Sequence, residues 1–271
     1  MKSYIALILV RFRAGLQYRV AALAGVTTQI FWGFIKIMVL EAFYGVSTVV
    51  QPMSFAQVVS YTWLGQGLLA LLPWNVDPDI RELIRSGSVS YELLRPLDLY
   101  SVWFVRTLAW RTSAVILRCI PLFIFAGPVL VLIGLQDIAL TLPRTFEALI
   151  LFVLSMTVTV AMSCCVSALN NILTMWTLSA LGPSALLPVA ITIFSGMIIP
   201  LPLMPDWVVP VLRALPFSGL IDTPFRIYSG NLAGKAAIYA ILHQIGWTIA
   251  LVYLGRVLIR GRTRRLVIQG G

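Results

Sequence analysis

The stretch 148–169, ALILFVLSMTVTVAMSCCVSAL, decides the fold, because its 22 residues contain no charged side chain. As a helix it rises about 33 Å, enough to cross a hydrocarbon core of about 30 Å. Runs of the same character recur at 20–40, 55–74, 114–135, 178–201 and 236–254. With 59% hydrophobic residues, 11% charged residues and a mean hydropathy of +0.93, the chain has too little polar surface to clothe a soluble core. A transmembrane barrel would show short alternating segments in place of long continuous runs. The expected fold class is therefore an all-α polytopic membrane protein with six transmembrane helices. No internal repeat relates the first three runs to the last three, and no low-complexity linker divides the chain.

The net charge of +10 takes its meaning from where the charges lie. Fourteen of the 20 Lys and Arg fall on one side of the expected layout: in 1–19, between the second and third runs, and after the sixth. Four, Arg144, Arg213, Arg226 and Lys235, fall on the other, and Lys36 and Arg118 lie within runs. The positive-inside rule then puts both termini in the cytoplasm. The apolar run at 5–10 is short and is followed by Arg11 and Arg13, so no cleavable leader is expected and the first span should anchor the protein. Cys119, Cys164 and Cys165 sit in apolar runs without metal-ligand spacing and read as packing residues.

Residues 1–19 mix Tyr4, Ile5, Leu7, Ile8, Phe12 and Leu16 with Lys2, Arg11, Arg13 and Arg19, the composition of a helix lying in the interface with snorkelling basic side chains. Residues 198–234 are apolar yet carry Pro200, Pro202, Pro205, Pro210, Pro216 and Pro224, which forbids one continuous helix. Short helices inserted partway into the outer leaflet, with their irregular backbone buried against protein, suit this composition. An amphipathic helix lying flat on the outer surface is the other reading. The tail 256–271, with RGRTRRL beside a span, suits anionic headgroups better than nucleic acid.

Residues 77–98 break this apolar pattern with charge. Asp77 can cap a helix, Pro78 suits its first position, and Asp79 and Glu82 favour the positive end of its dipole. Gly87 should end that helix, and a second short one can run from Ser88 or Ser90 until Pro96 discourages it. The product is a compact charged knob between the second and third spans, suited to docking on a partner.

An amphipathic N-terminal helix, six spans, IRSGSVSYELLRPLD at 84–98 and a Pro-rich part-inserted segment before the last span together resemble the permease subunit of a bacterial type-2 ABC exporter. The phrase, with its Leu-Leu-Arg-Pro run, is similar to that of a subclass often paired with a second permease and a separate ATPase. The resemblance covers essentially the whole chain. It implies that 77–98 is the coupling segment seated in an ATPase subunit and that 1–19 is the elbow helix beside it. Carried onto this sequence, the docking surface is Ile84, Arg85, Gly87, Tyr91, Leu94, Arg95 and Pro96. Tyr91 and Leu94 would be apolar anchors, and Arg85 and Arg95 would pair with acids or stack on aromatics. The alternative is that these arginines only enforce topology or bind headgroups. The resemblance further implies two ATPase subunits, an identical or homologous second permease, surrounding lipids, and a bacterial inner-membrane location. No phosphate-cradling Gly-x-x-x-x-Gly-Lys-Ser/Thr motif occurs, so this chain is expected to bind no cofactor and to perform no hydrolysis; ATP and Mg belong to the partner.

Gln29, Trp32, Gly33 and Lys36 fall at spacings of three, four and seven, which puts them on one helix face. Lys36, an ionisable group in a span, is either a substrate-path residue or one that snorkels to the outer end. The resemblance implies that the first, second and fifth spans face the partner permease and enclose the path, which makes Thr62 and Gln66 on the second span and Thr192 and Ser195 on the fifth further path candidates. Pro183 and Pro188 can let the fifth span bend. His243 lacks carboxylate or thiolate company and reads as a structural hydrogen-bonding group, and Asn170 and Asn171 are expected to end helices. The leading function is an exporter subunit moving a hydrophobic or amphipathic compound, lipid or lipid-linked molecule outward. An ion-coupled secondary transporter would call for carboxylates inside the spans, and a membrane enzyme for convergent acids and bases. The outer acids Glu41, Asp137, Glu147, Asp206 and Asp222 read as scattered and solitary.

Overall fold

The computed structural model describes residues 2–74, 77–177 and 181–263, and among these every regular element is helical. The first two helices are α1 (Lys2–Gly15) and α2 (Arg19–Val46), followed by the short α3 (Phe55–Gly67). Next come α4 (Pro78–Arg85), α5 (Val89–Leu93) and α6 (Leu99–Ile124); α6 continues through a π-helical turn at Phe125–Val129 into α7 (Leu130–Leu132). The remaining helices are α8 (Phe146–Thr177), α9 (Leu181–Phe194), α10 (Val209–Ala214), α11 (Asp222–Tyr228) and α12 (Gly234–Thr263). Four stretches among the described residues are long and apolar enough to cross a membrane: Arg19–Val46, Leu99–Leu132, Phe146–Thr177 and Gly234–Thr263. The start of the expected fifth span, 178–180, and the end of the basic tail, 264–271, lie outside the described residues.

The other two expected spans are not long helices, and the sequence supplies the reason for each. The run at 55–74 stays α-helical only to Gly67, then makes a 3-10 turn at Leu69–Leu71 and runs extended to Pro73. At Gly67 the Phe123 ring occupies the space a Cβ would need. The carbonyls released by the break are taken up inside the protein. Arg111 Nη1 donates to those of Ala70 and Leu71, each at 3.4 Å, and to that of Leu72, while Ser163 Oγ donates to that of Leu71. Irregular backbone at membrane depth survives only with such partners. The fifth run is represented by the 14-residue α9, with Pro188 inside it.

Two boundaries also move. The third helix starts at Leu99, not at 114, because the Asp98 carboxylate caps it by accepting from Ser101 N at 3.0 Å and Ser101 Oγ at 2.6 Å. Asn170 and Asn171 do not end their helix, which runs on to Thr177 with both side chains buried.

The helices pack into two larger clusters. One gathers Tyr61, Leu64, Met162, Cys165, Ile191, Leu220 and Phe225 where α3, α8, α9 and α11 meet, and Cys164 is also fully buried, in keeping with packing roles for both cysteines. The other gathers Ile80, Val89, Trp103, Ile172, Met175 and Ile259, and fastens α4 and α5 to the ends of α6, α8 and α12. The elbow α1 buries no residue, yet it closes on α6 tightly enough at Gly15 that a Cβ would collide with Ser113.

Candidate functional site: the α4–α5 surface and the polar residues within the bundle

The segment 77–98 forms as two helices with a hinge. Asp77 caps α4 by accepting from Asp79 N at 2.9 Å and Ile80 N at 3.4 Å, with Pro78 at the first position. Gly87 has φ +74°, a conformation that other L residues adopt only with strain, and it separates α4 from α5. Ile80 and Val89 turn inward to the core, which sets the opposite side of both helices toward solvent.

One buried arginine locks the inner side in place. Arg106 on α6, 6% exposed, reaches Glu92 Oε1 at 3.4 Å, Asp79 Oδ2 at 3.3 Å and Asp77 Oδ2 at 3.9 Å. Trp103 Nε1 donates to Glu92 Oε2 at 3.0 Å, and Arg11 of the elbow donates to Asp79 Oδ2 at 2.6 Å. Tyr4 Oη accepts from Asp98 N at 3.2 Å. Elbow, segment and α6 thus share one charged junction. Sequence reading counted Arg106 only as a topology-setting charge. The signal that could have singled it out is its place on the helix that follows a segment with five acids.

The expected docking residues divide. Tyr91 is 70% exposed and Leu94 81%, and Arg85, Gly87, Arg95 and Pro96 are exposed as well. Among the described residues Arg85 pairs only with its neighbour Glu82, at 3.1 Å. Ile84 lies half-buried against the inner cluster and is more a support than a face.

The expected path residues are not gathered into one channel. On α2, Gln29 and Gly33 are buried, and the Trp63 ring fills the space beside Gly33, but Trp32 is 52% exposed and off that face. Lys36 Nζ donates to the carbonyl of Met197 at 2.9 Å, which ties α2 to the chain beyond α9. Thr62 joins Lys36 at the same small void of about 10 Å³, room for about one water. Thr62 and Thr192 each hydrogen-bond a carbonyl one turn back in their own helices, Val58 at 2.8 Å and Pro188 at 2.6 Å. Ser195 is buried at the end of α9 with its hydroxyl unpartnered, and Gln66 is buried on α3.

Asp222 is not solitary. Buried at the start of α11, its carboxylate accepts from Arg226 Nη1 at 3.2 Å and from Leu201 N at 3.1 Å, with Tyr61 Oη at 3.5 Å. Tyr61 Oη also donates to the carbonyl of Gly196 at 3.0 Å. The Pro-rich segment is thereby pinned to α3 through one carboxylate. Twenty-one residues separate Asp222 from Leu201 and 161 separate it from Tyr61, so no sequence pattern announces the cluster. His243 has the structural surroundings expected of it: Trp247 Nε1 lies 3.0 Å from His243 Nε2, and both reach the carbonyl of Ala214.

No curated protein and no solved structure matches the chain. The family model described as ABC-2 family transporter protein matches residues 30–270, which takes in the later part of α2, the α4–α5 surface, the other long apolar helices and the Pro-rich segment. With that match over most of its length, the chain belongs to the ABC-2 family of transporter proteins.

Proposed function

We propose that this chain is the permease subunit of an ABC exporter whose ATP hydrolysis takes place on a separate subunit docked at α4 and α5. The observation that carries the reading is the two-sidedness of 77–98. Tyr91, Leu94, Arg85, Arg95 and Pro96 face outward, while Arg106 and the Ile80–Val89 cluster fix the inner side to α6 and α1. Exposed aromatic and aliphatic anchors flanked by arginines suit a protein partner, and a charged junction shared with α1 and α6 suits the passage of force into the bundle.

In this reading both termini and 77–98 are cytoplasmic, and α3 and α9 complete six crossings as broken spans. Residues 198–234 dip into the outer leaflet, and the membrane is a bacterial inner membrane. Six spans make half a transporter, so the assembly has two permeases, identical or homologous, and two ATPase subunits binding ATP and Mg. Apolar walls with a few amides suit a hydrophobic or amphipathic cargo, lipid or lipid-linked molecules included.

The test is affinity purification of the full chain from its native membrane in mild detergent, with identification of co-purifying chains and an ATPase assay. An ATP-binding subunit is expected to co-purify. Arg95→Glu and the double variant Tyr91→Ala/Leu94→Ala are each expected to insert normally and to lower its recovery at least tenfold. Undiminished recovery with normal stimulated hydrolysis in both variants would overturn the docking assignment.

A further inference from the structure

The buried charges of the bundle are answered by neighbouring groups, but the half-buried Arg118 is not. A cavity of about 440 Å³ between the broken end of α3, α6 and α9 is walled by Trp74, Trp110, Arg111 and Arg118, with Leu72 and Pro188 among its apolar lining. Arg111 directs its donors to Ser167, at 3.1 and 2.8 Å, and to the carbonyls of residues 70–72, and its guanidinium stacks 5.3 Å over the Trp110 ring. Arg118, two turns further along α6, makes no hydrogen bond or ion pair among the described residues. Its guanidinium rests against Gly25 of α2, where a Cβ would come within 3.2 Å of Cζ. Trp74 Nε1 is buried and has no acceptor among the described residues. No carboxylate among the described residues lies within 4 Å of either guanidinium.

Depth gives this arrangement its meaning. Gly25 is six residues into α2, about 9 Å of helix rise from the end that adjoins the elbow, so Arg118 lies within the leaflet on the α4–α5 side. An unanswered guanidinium there is costly, and basic pockets between transmembrane helices on the cytoplasmic side attract anionic headgroups. The Arg118 guanidinium and the Trp74 indole N–H offer donors in several directions, and Arg111 adds a second positive charge to the wall. A phosphate, with several acceptor oxygens, satisfies such a set more fully than a single carboxylate does. The volume is that of a small-ligand site, large enough for a headgroup and the start of its chains.

We propose that this cavity receives the phosphate headgroup of an anionic amphiphile drawn from the adjacent leaflet, and that such amphiphiles are the transported cargo. The cargo half of this statement rests on the exporter reading above; the headgroup site does not.

The first arm of the test uses the full chain in detergent with an equal mixture of dioleoyl phosphatidylglycerol and dioleoyl phosphatidylcholine, with bound lipid counted by native mass spectrometry. The wild-type chain should retain the phosphatidylglycerol preferentially. Arg118→Gln should weaken that retention about tenfold, the worth of one charge-assisted hydrogen bond. Because Arg118 supports no other group, its melting temperature should stay unchanged. Gly25→Ile, which displaces the guanidinium but keeps its charge, should weaken retention as well, and Arg144→Gln, at an exposed loop, should not. Equal retention of both lipids by the wild-type chain, or undiminished phosphatidylglycerol in Arg118→Gln, overturns the site. The second arm repeats the count on the vanadate-trapped complex with its ATPase. Release of the phosphatidylglycerol identifies cargo, and its retention there marks a resident structural lipid and overturns the cargo assignment. If no ATPase co-purifies, the exporter reading and the cargo assignment fall together, while the first arm still decides the headgroup site.

Discussion

Arg106 and Gly87 make opposite kinds of demand on a single position. Arg106 is buried beside three carboxylates from two elements, so its removal strands Glu92 and Asp77 with their charge unanswered. Breaking such a pair by truncating one partner costs about 3 kcal/mol. Arg106→Ala is therefore expected to detach 77–98 from α6 and speed tryptic cleavage at Arg81 and Arg85 at least tenfold. Arg106→Lys should recover only part of the protection, since one compact ammonium cannot span the same fork of acceptors. Protease rates indistinguishable from wild type in Arg106→Ala would show that the apolar contacts of Ile80 and Val89 hold the segment unaided. Gly87 makes a conformational demand alone: open space surrounds its Cα, and φ is +74°. Gly87→Ala should then cost about 1 kcal/mol with no steric contribution, and Gly87→Asn less, because Asn tolerates the left-handed region. Hydrogen exchange of the amides at 84–92 reads the difference, and equal exchange in Ala and Asn variants would refute a conformational cause.

At the scale of elements, the break after α3 is where the sequence was read wrongly, and the reason is physical. Hydropathy registers how apolar 55–74 is but not where its backbone hydrogen bonds go, and those are answered by Arg111 and Ser163, which lie 40 and 92 residues from Leu71. The caps of α3, α4 and α6 were within reach of local pattern, because each depends on residues two to four apart. At α3 the Ser54 and Gln57 side chains cap reciprocally. The same contrast separates the α4–α5 surface, whose charge and glycine stand out in sequence, from the Asp222 cluster, which only the fold assembles. If Arg111 holds the broken span, Arg111→Met should strip its donor from the Ala70 and Leu72 carbonyls, leaving Leu71 to Ser163, and lower the melting temperature in detergent far more than Thr62→Ala, which forfeits one hydrogen bond within its own helix worth about 1 kcal/mol. A variant Arg111→Met as stable as Thr62→Ala would mean that the Ala70 and Leu72 carbonyls find other donors.

For the molecule as a whole, the open question is how six apolar runs become six crossings when only four described helices have the length. The ends of the bundle are fixed relative to one another. Arg262 Nε donates to the Met175 carbonyl at 3.0 Å, beside the cluster that holds α4, while Asn231 Nδ2 donates to the Pro52 carbonyl at 2.9 Å and Ser60 meets Thr141 at 2.8 Å at the other end. Placing Tyr91 and Thr263 on one side of the membrane therefore places Leu142 and Trp207 on the other, if α3 and α9 cross despite their breaks. Three of these positions are open to a labelling reagent, Tyr91 at 70%, Leu142 at 85% and Trp207 at 81% exposed, and Thr263 is half-buried at the end of α12. In a chain with Cys119, Cys164 and Cys165 replaced by Ala, single cysteines at 91 and 263 should react with a membrane-impermeant maleimide only in inverted vesicles, and those at 142 and 207 only in intact cells. Labelling of 207 from the same side as 91 would mean that α9 turns back without crossing, and the six-span arrangement would fall with it.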